Sequence, residues 1–189
     1  MKFKTFIQIY YSHRLAKASL FKKFYLNLTL PFIYLLNKLY YPKIKNLDHF
    51  SINHEYLFHK DLNYLFQYFN SDKGDFYINQ YQKPAKRESK LIPGHSYNHF
   101  YDKYFKKKKL QYLNILELGS FRGNAAAALF FYFKNAQIWC GDIFPDLFTY
   151  KSKRIKNFLI DTSSELELKN KIINKDENFD FIIEDAGHY

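Results

Sequence analysis

The stretch Asn114-Ile-Leu-Glu-Leu-Gly-Ser-Phe-Arg-Gly-Asn-Ala-Ala-Ala-Ala-Leu129 constrains the fold of this chain more than any other. Ile115, Leu116 and Leu118 between polar flanks predict a short buried strand of a parallel sheet, and the alanine run predicts a helix. Between them lies Glu117-x-Gly119-x-x-x-Gly123. A glycine at a strand end lets the backbone pass close to a ligand, and amides at the following helix start offer donors to an anionic group. The spacing is not that of a dinucleotide fingerprint, which needs glycines where this chain carries Phe121 and Asn124.

The pattern repeats downstream. A helix over residues 124–134 leads to a second apolar strand over 136–143 that ends in Asp142, 19 residues after Gly123. Nucleotide-binding α/β folds put a carboxylate for ribose hydroxyls at that place. Residues 157–161 predict a third strand ending in Asp161, residues 165–174 a short helix, and residues 179–188 a fourth strand with its exit loop. Strand and helix alternating in this way imply right-handed crossovers: a Rossmann-like parallel sheet with helices on both faces. Ligands of such sheets bind beyond the carboxyl ends of the strands, where Glu117, Asp142, Asp161, Asp185 and His188 all fall.

With these residues placed, the chain resembles the class I S-adenosylmethionine-dependent methyltransferases, in the branch of the macrocin and mycinamicin sugar O-methyltransferases. Three blocks carry the resemblance. Ser71-Asp-Lys-Gly74 is followed by His95-x-Tyr97 and Tyr101; Glu117-Leu-Gly-Ser-Phe-Arg-Gly123 is followed by Ala136-x-Ile-x-x-Gly-Asp-Ile143; and Phe179-Asp-Phe-Ile-Ile-Glu-Asp-Ala-Gly-His188 closes the series. The resemblance implies that Glu117 and Gly119, with Ser120 and Gly123, hold the methionine part of S-adenosylmethionine. Asp142 and Ile143 would meet the ribose, and Asp161 with Thr162 the adenine edge. Lys73, His95 and Tyr97 would complete the cofactor pocket, Asp185 would bind a magnesium ion, and His188 would act as general base on a sugar hydroxyl. The chain departs from the branch in having Ala186-Gly187 before the histidine and Glu184 where aspartate is usual.

Upstream of these blocks the chain divides into a basic helical region, residues 1–47, and a helical lead-in to the cofactor pocket, residues 48–112, ahead of the Rossmann-like part at 113–189. The first 47 residues contain nine Lys or Arg and no acid. Phe6, Tyr10, His13, Ala16, Leu20 and Phe24 fall near helical spacing, which predicts one apolar and one basic face. Such a segment suits an anionic membrane surface, or a helical cap with a solvated lysine face. Its apolar run over 28–36 is too short to span a bilayer. Residues 47–70 again predict helix, 70–74 a turn, 80–93 an exposed loop, and 94–105 a helix with Tyr97, Tyr101, Tyr104 and Phe105 on one stripe.

The formal charge of +11 rests on lysine, with only Arg14, Arg87, Arg122 and Arg154 among the arginines, so charge alone is a weak argument for nucleic acid. Cys140, the only cysteine, allows no internal disulfide and fits a reducing, cytoplasmic setting, with the inner membrane face as a site of peripheral attachment. The sequence thus points to an O-methyltransferase, or a fragment of one, acting on a small-molecule or glycan hydroxyl. The expected fifth strand and the remaining metal ligands do not follow His188, so the fold is expected to be incomplete. The competing readings are a non-catalytic remnant of the cofactor fold and a basic membrane-associated binding module.

Overall fold

A computed structural model describes residues 1–8, 18–78, 90–175 and 177–186. The chain forms two compact units, Met1–Lys43 and Ile44–Tyr189.

In the first unit, α1 (Phe3–Phe6) packs on α2 (Leu20–Tyr40), whose first turn is capped by the Ser19 side chain. Leu26, Leu30 and Tyr34 recur at helical spacing and meet Phe6 and Ile7. The Phe6 and Tyr34 rings lie 5.5 Å apart, and the Tyr34 hydroxyl donates to the Met1 carbonyl. The single stripe expected from Phe6 to Phe24 does not form. Phe6 is buried, whereas Leu20 and Phe24 are exposed, because α2 turns Leu30 and not Phe24 toward α1. Tyr10, His13 and Ala16 lie outside the described residues. No helix among the described residues is long and apolar enough to cross a membrane.

In the second unit, four parallel strands form the sheet that the alternation of apolar runs predicts. They are β4 (Asn114–Leu118), β5 (Gln137–Asp142), β7 (Ile155–Leu159) and β8 (Phe181–Glu184), in the order β7-β5-β4-β8. Strand β4 is central, buried on both faces, and pairs Glu117 with Cys140 on one side and Ile183 on the other. Helix α6 (Asn124–Tyr132) covers one face; Ala125–Ala128 bring its backbone close to Ile115, Ile138 and Ile183. On that same side α4 (Leu62–Tyr68) adds Leu62, Leu65 and Phe66, and α5 (Tyr97–Phe105) adds Phe105. The opposite face buries Leu116, Leu118, Trp139 and Ile160 under Leu168 and Ile172, from α7 (Glu165–Leu168) and the wider turns of Lys169–Ile173. This is an α/β unit with helices on both faces of a parallel sheet.

Two smaller ladders edge this unit. Strand β1 (Lys45–Asn46) pairs in parallel with β6 (Tyr150–Lys151), just ahead of α3 (Leu47–Ile52). Strand β2 (Phe76–Ile78) pairs antiparallel with β3 (Leu91–Pro93), so the end of the expected loop is a strand; residues 79–89 are outside the described set. The Arg154 guanidinium donates to the carbonyls of Phe130, Phe133 and Ala136, closing the carboxyl end of α6 where a glycine cap is absent.

Candidate functional site

The loop joining β4 to α6 has an unusual backbone. Gly119 (φ 84°), Phe121 (φ 45°) and Gly123 (φ 79°) all adopt the left-handed region. A Cβ at Gly119 would come 2.4 Å from the Asp185 carbonyl oxygen, and one at Gly123 would come 2.4 Å from the Phe148 ring. Both positions therefore require glycine twice over, for backbone angle and for space. Phe121 has no such excuse, and its conformation costs on the order of 1–2 kcal/mol. Asp142 offsets that cost: its Oδ2 accepts from the Phe121 amide at 2.7 Å, and its Oδ1 accepts from the Phe144 amide at 2.7 Å. The loop also donates through the Gly119 and Ser120 amides to the Gly141 carbonyl. Helix α6 follows Gly123, its N-cap, which has no side chain to cap the first turn.

Beneath this loop lies a buried charge cluster. Glu117 is 1% exposed and Lys73 3%. The Lys73 ammonium pairs with Asp185 Oδ2 and stands 3.7 Å from Glu117 Oε1. Glu117 Oε2 is buried without a hydrogen-bond partner. Burial alone would lower the lysine, but Glu117 and Asp185 outweigh it and hold the ammonium well above the ordinary lysine value. Burial also pushes the Glu117 carboxyl up, against the opposing pull of Lys73 and Ser120.

Lys73 reaches that position because its turn is clamped. Ser71 donates its amide to Phe66, while the amides of His95, Ser96 and Asn98 bond the carbonyls of Asp72, Gly74 and Lys73. Gly94 makes this approach possible, since a Cβ there would lie 2.2 Å from the Gly74 oxygen. The start of α5 thereby presents a ladder of rings: His95 stacks on Tyr97 at 5.2 Å, and Tyr97 stands 6.1 Å from Tyr101. Burial first, and then the fields of Glu117 and Asp185 against that of Lys73, push the Tyr101 phenol up to about 12.

The sequence-predicted residues divide accordingly. Glu117, Gly119, Ser120, Gly123, Lys73 and Asp185 converge on one place, and Asp142 braces it. Ile143 is half exposed beside Asp142. Asp161 is not at a strand end: β7 stops at Leu159, and Asp161 caps its own turn by accepting from the Ser163 amide and hydroxyl, which holds its carboxyl below the usual range. It remains near Asp142, because the Ile160 amide donates to the Asp142 carbonyl, and Thr162 follows half buried in the same turn. His95 is mostly exposed and 4.0 Å from Asp72. His188 lies outside the described residues. Tyr101 is the site residue without a predicted role, although its place one helical turn after Tyr97, on the buried side of α5, was the available signal.

The donor set can be tested against the groups implied by the resemblance. An ammonium-bearing nucleotide fits: Glu117 Oε2 is an orphaned buried acceptor, and each Asp142 oxygen keeps a lone pair after its backbone bond. A magnesium ion does not fit the described residues. Asp185 already carries the Lys73 ammonium, and no group of three His, Cys, Asp or Glu side chains among the described residues could hold a metal. Compared with known proteins, the chain matches no family model and no curated protein sequence.

Proposed function

We propose that this chain binds S-adenosylmethionine at the β4–α6 loop and belongs to an O-methyltransferase whose acceptor is a hydroxyl of a sugar, glycan or glycosylated metabolite. The observation that carries the reading is the strand order β7-β5-β4-β8 together with the loop at its reversal. Strands β5 and β7 lie to one side of β4 and β8 to the other, so the crevice opens beside Glu117 and Gly119, where open α/β sheets take nucleotides. The acceptor class rests on the resemblance of the three sequence blocks.

In this reading the cofactor supplies a methyl group already activated on a sulfonium. Glu117 Oε2 accepts from the ammonium of its methionine part, and Lys73 keeps the Glu117 carboxylate oriented by holding Oε1. Asp142 accepts from the ribose hydroxyls while bracing Phe121. Ile143 packs beside the ribose, Asp161 and Thr162 border the adenine, and the His95–Tyr97 stack walls the cleft. His188 takes the acceptor proton, a role worth roughly a hundred- to ten-thousand-fold in rate.

The Lys73–Asp185 pair also favours a second reading, a cofactor-binding module that transfers nothing, because it occupies the carboxylate that the resemblance assigns to a magnesium ion. Calorimetric titration with S-adenosylhomocysteine tests the shared part: saturable binding that weakens in Asp142→Asn supports it, and no binding refutes both readings. Transfer of labelled methyl to glycan acceptors then separates enzyme from module.

A further inference from the structure

The first unit carries a feature that the cofactor reading does not use. Helix α2 is 21 residues long, about 30 Å at 1.5 Å per residue, and buries only one seam, through Leu26, Leu30 and Tyr34. Its opposite face is apolar from end to end. Phe21, Phe24, Leu28, Phe32, Leu35 and Leu39 recur every three or four residues and are each more than half exposed, Phe21 at 83% and Leu39 at 80%. Single exposed apolar residues are ordinary, but a continuous stripe of this length marks a surface that has a partner.

Charge selects the partner. Residues 1–47 hold nine Lys or Arg and no Asp or Glu. A second copy would set this density against itself, and like charges oppose that association. An anionic lipid leaflet satisfies both halves of the pattern: acyl chains receive the stripe, and headgroups receive the cations. Lys22 and Lys38 stand exposed on α2, and their long stems let the ammonium groups reach headgroup level while the aromatic face sinks. Pro31 removes one amide from the helix ladder, a loss more easily met in the wet interface than in hydrocarbon. At 21 residues the helix is long enough to reach across a bilayer but not apolar enough to cross one, which leaves the in-plane position.

We propose that α2 is an in-plane membrane anchor that seats the Phe21–Leu39 stripe in an anionic leaflet. This does not depend on the cofactor reading, since it rests on a different unit. Each lysine close to such a surface is worth about fivefold in partitioning, so binding depends on lipid composition and, through screening, on salt.

The test is flotation of the full chain with vesicles of phosphatidylcholine alone and of phosphatidylcholine with phosphatidylserine, at low and high salt. The full chain is expected to float with the anionic vesicles, weakly with the neutral ones, and to be partly released by salt. Leu28→Glu with Phe32→Glu is expected to lower anionic binding by more than tenfold. Lys22→Glu with Lys38→Glu is expected to remove the preference for anionic lipid and leave the weak neutral binding. All four side chains are exposed, so an unchanged circular dichroism spectrum and melting temperature serve as the folding control. No flotation on either lipid, or equal flotation on both, overturns the proposal. So does a lipid-free dimer that Leu28→Glu with Phe32→Glu dissociates in light scattering, which would make the stripe an interface between copies.

Discussion

Replacing Lys73 with methionine keeps the buried stem and removes the charge. Glu117 then remains in the core with no cation, and Asp185 faces it across the space the ammonium held. At 3.7 Å and an effective dielectric near 20, the Lys73–Glu117 attraction is roughly 4–5 kcal/mol. Removing one partner of a buried pair costs about 3–5 kcal/mol in comparable settings. We therefore expect Lys73→Met to lower the unfolding free energy by about 3–5 kcal/mol at neutral pH, and the melting temperature by roughly 6–20 °C. The pH dependence follows from the shifts. The folded Lys73 value is raised, so its contribution is complete below the ordinary lysine value and is lost only as pH rises through the higher folded one. Acidification narrows the gap between variant and wild type, because the Glu117 carboxyl, already pushed up by burial, takes a proton and relieves the unpaired charge. The assay is urea denaturation of wild type, Lys73→Met, Glu117→Gln and the double variant. The cycle should return a coupling of at least about 2 kcal/mol, with the double variant more stable than Lys73→Met. A loss below about 1 kcal/mol, or a coupling near zero, would refute the account of the cluster.

Asp142→Asn should weaken S-adenosylhomocysteine binding by about ten- to hundredfold and also lower the melting temperature, since the carboxylate braces Phe121 and Phe144; a binding loss with no change in stability would contradict the bracing role. Gly119→Ala should destabilise the chain by more than about 2 kcal/mol in thermal unfolding, because the new Cβ meets the Asp185 backbone and the backbone angle is left-handed. Stability should fall between about pH 10 and pH 12: Tyr101 and Tyr150 are both raised to about 12, so their contribution is complete below the ordinary tyrosine value of 10 and lost above it. Arg154, lowered to about 10, works in the opposite sense over the same window, and one arginine does not cancel two tyrosines; phenolate absorbance and urea midpoints followed together decide the balance.

What could be read from the sequence was local. The strand, glycine loop and alanine helix of 114–132 are each specified within a few residues, so their existence and order were visible without the rest of the chain. Strand β7 was placed two residues late because its bounds come from its neighbour: β5 pairs Ile138 with Ile155 and ends at Asp142 opposite Leu159, so the register stops there and Asp161 falls beyond the strand. Strand β3 was read as loop because three residues carry no period, and their partner β2 is set by a contact between segments separated in sequence. Lys73 could be connected with the cofactor pocket, yet its insertion between Glu117 and Asp185 needs three distant segments to converge. The same holds for Asp142, whose hold on the Phe121 amide follows from backbone geometry that no residue pattern announces.

The strand order has a consequence for how the chain is made. Strand β4 is the centre of the sheet, but one of its two neighbours, β8, begins more than sixty residues after β4 ends. During synthesis β5 and then β7 can pair on one side while the other edge of β4, next to the glycine loop, still lacks its hydrogen-bonding partner. At about 5–20 residues per second that interval lasts roughly 3–13 s. A nascent chain in this state presents an apolar strand edge and the Lys73–Glu117 pair, before Asp185, the second carboxylate partner of Lys73, has emerged. Of the four strands described, β8 is thus the last to be made, and the edge of β4 beside the glycine loop is the last of their edges to find its partner.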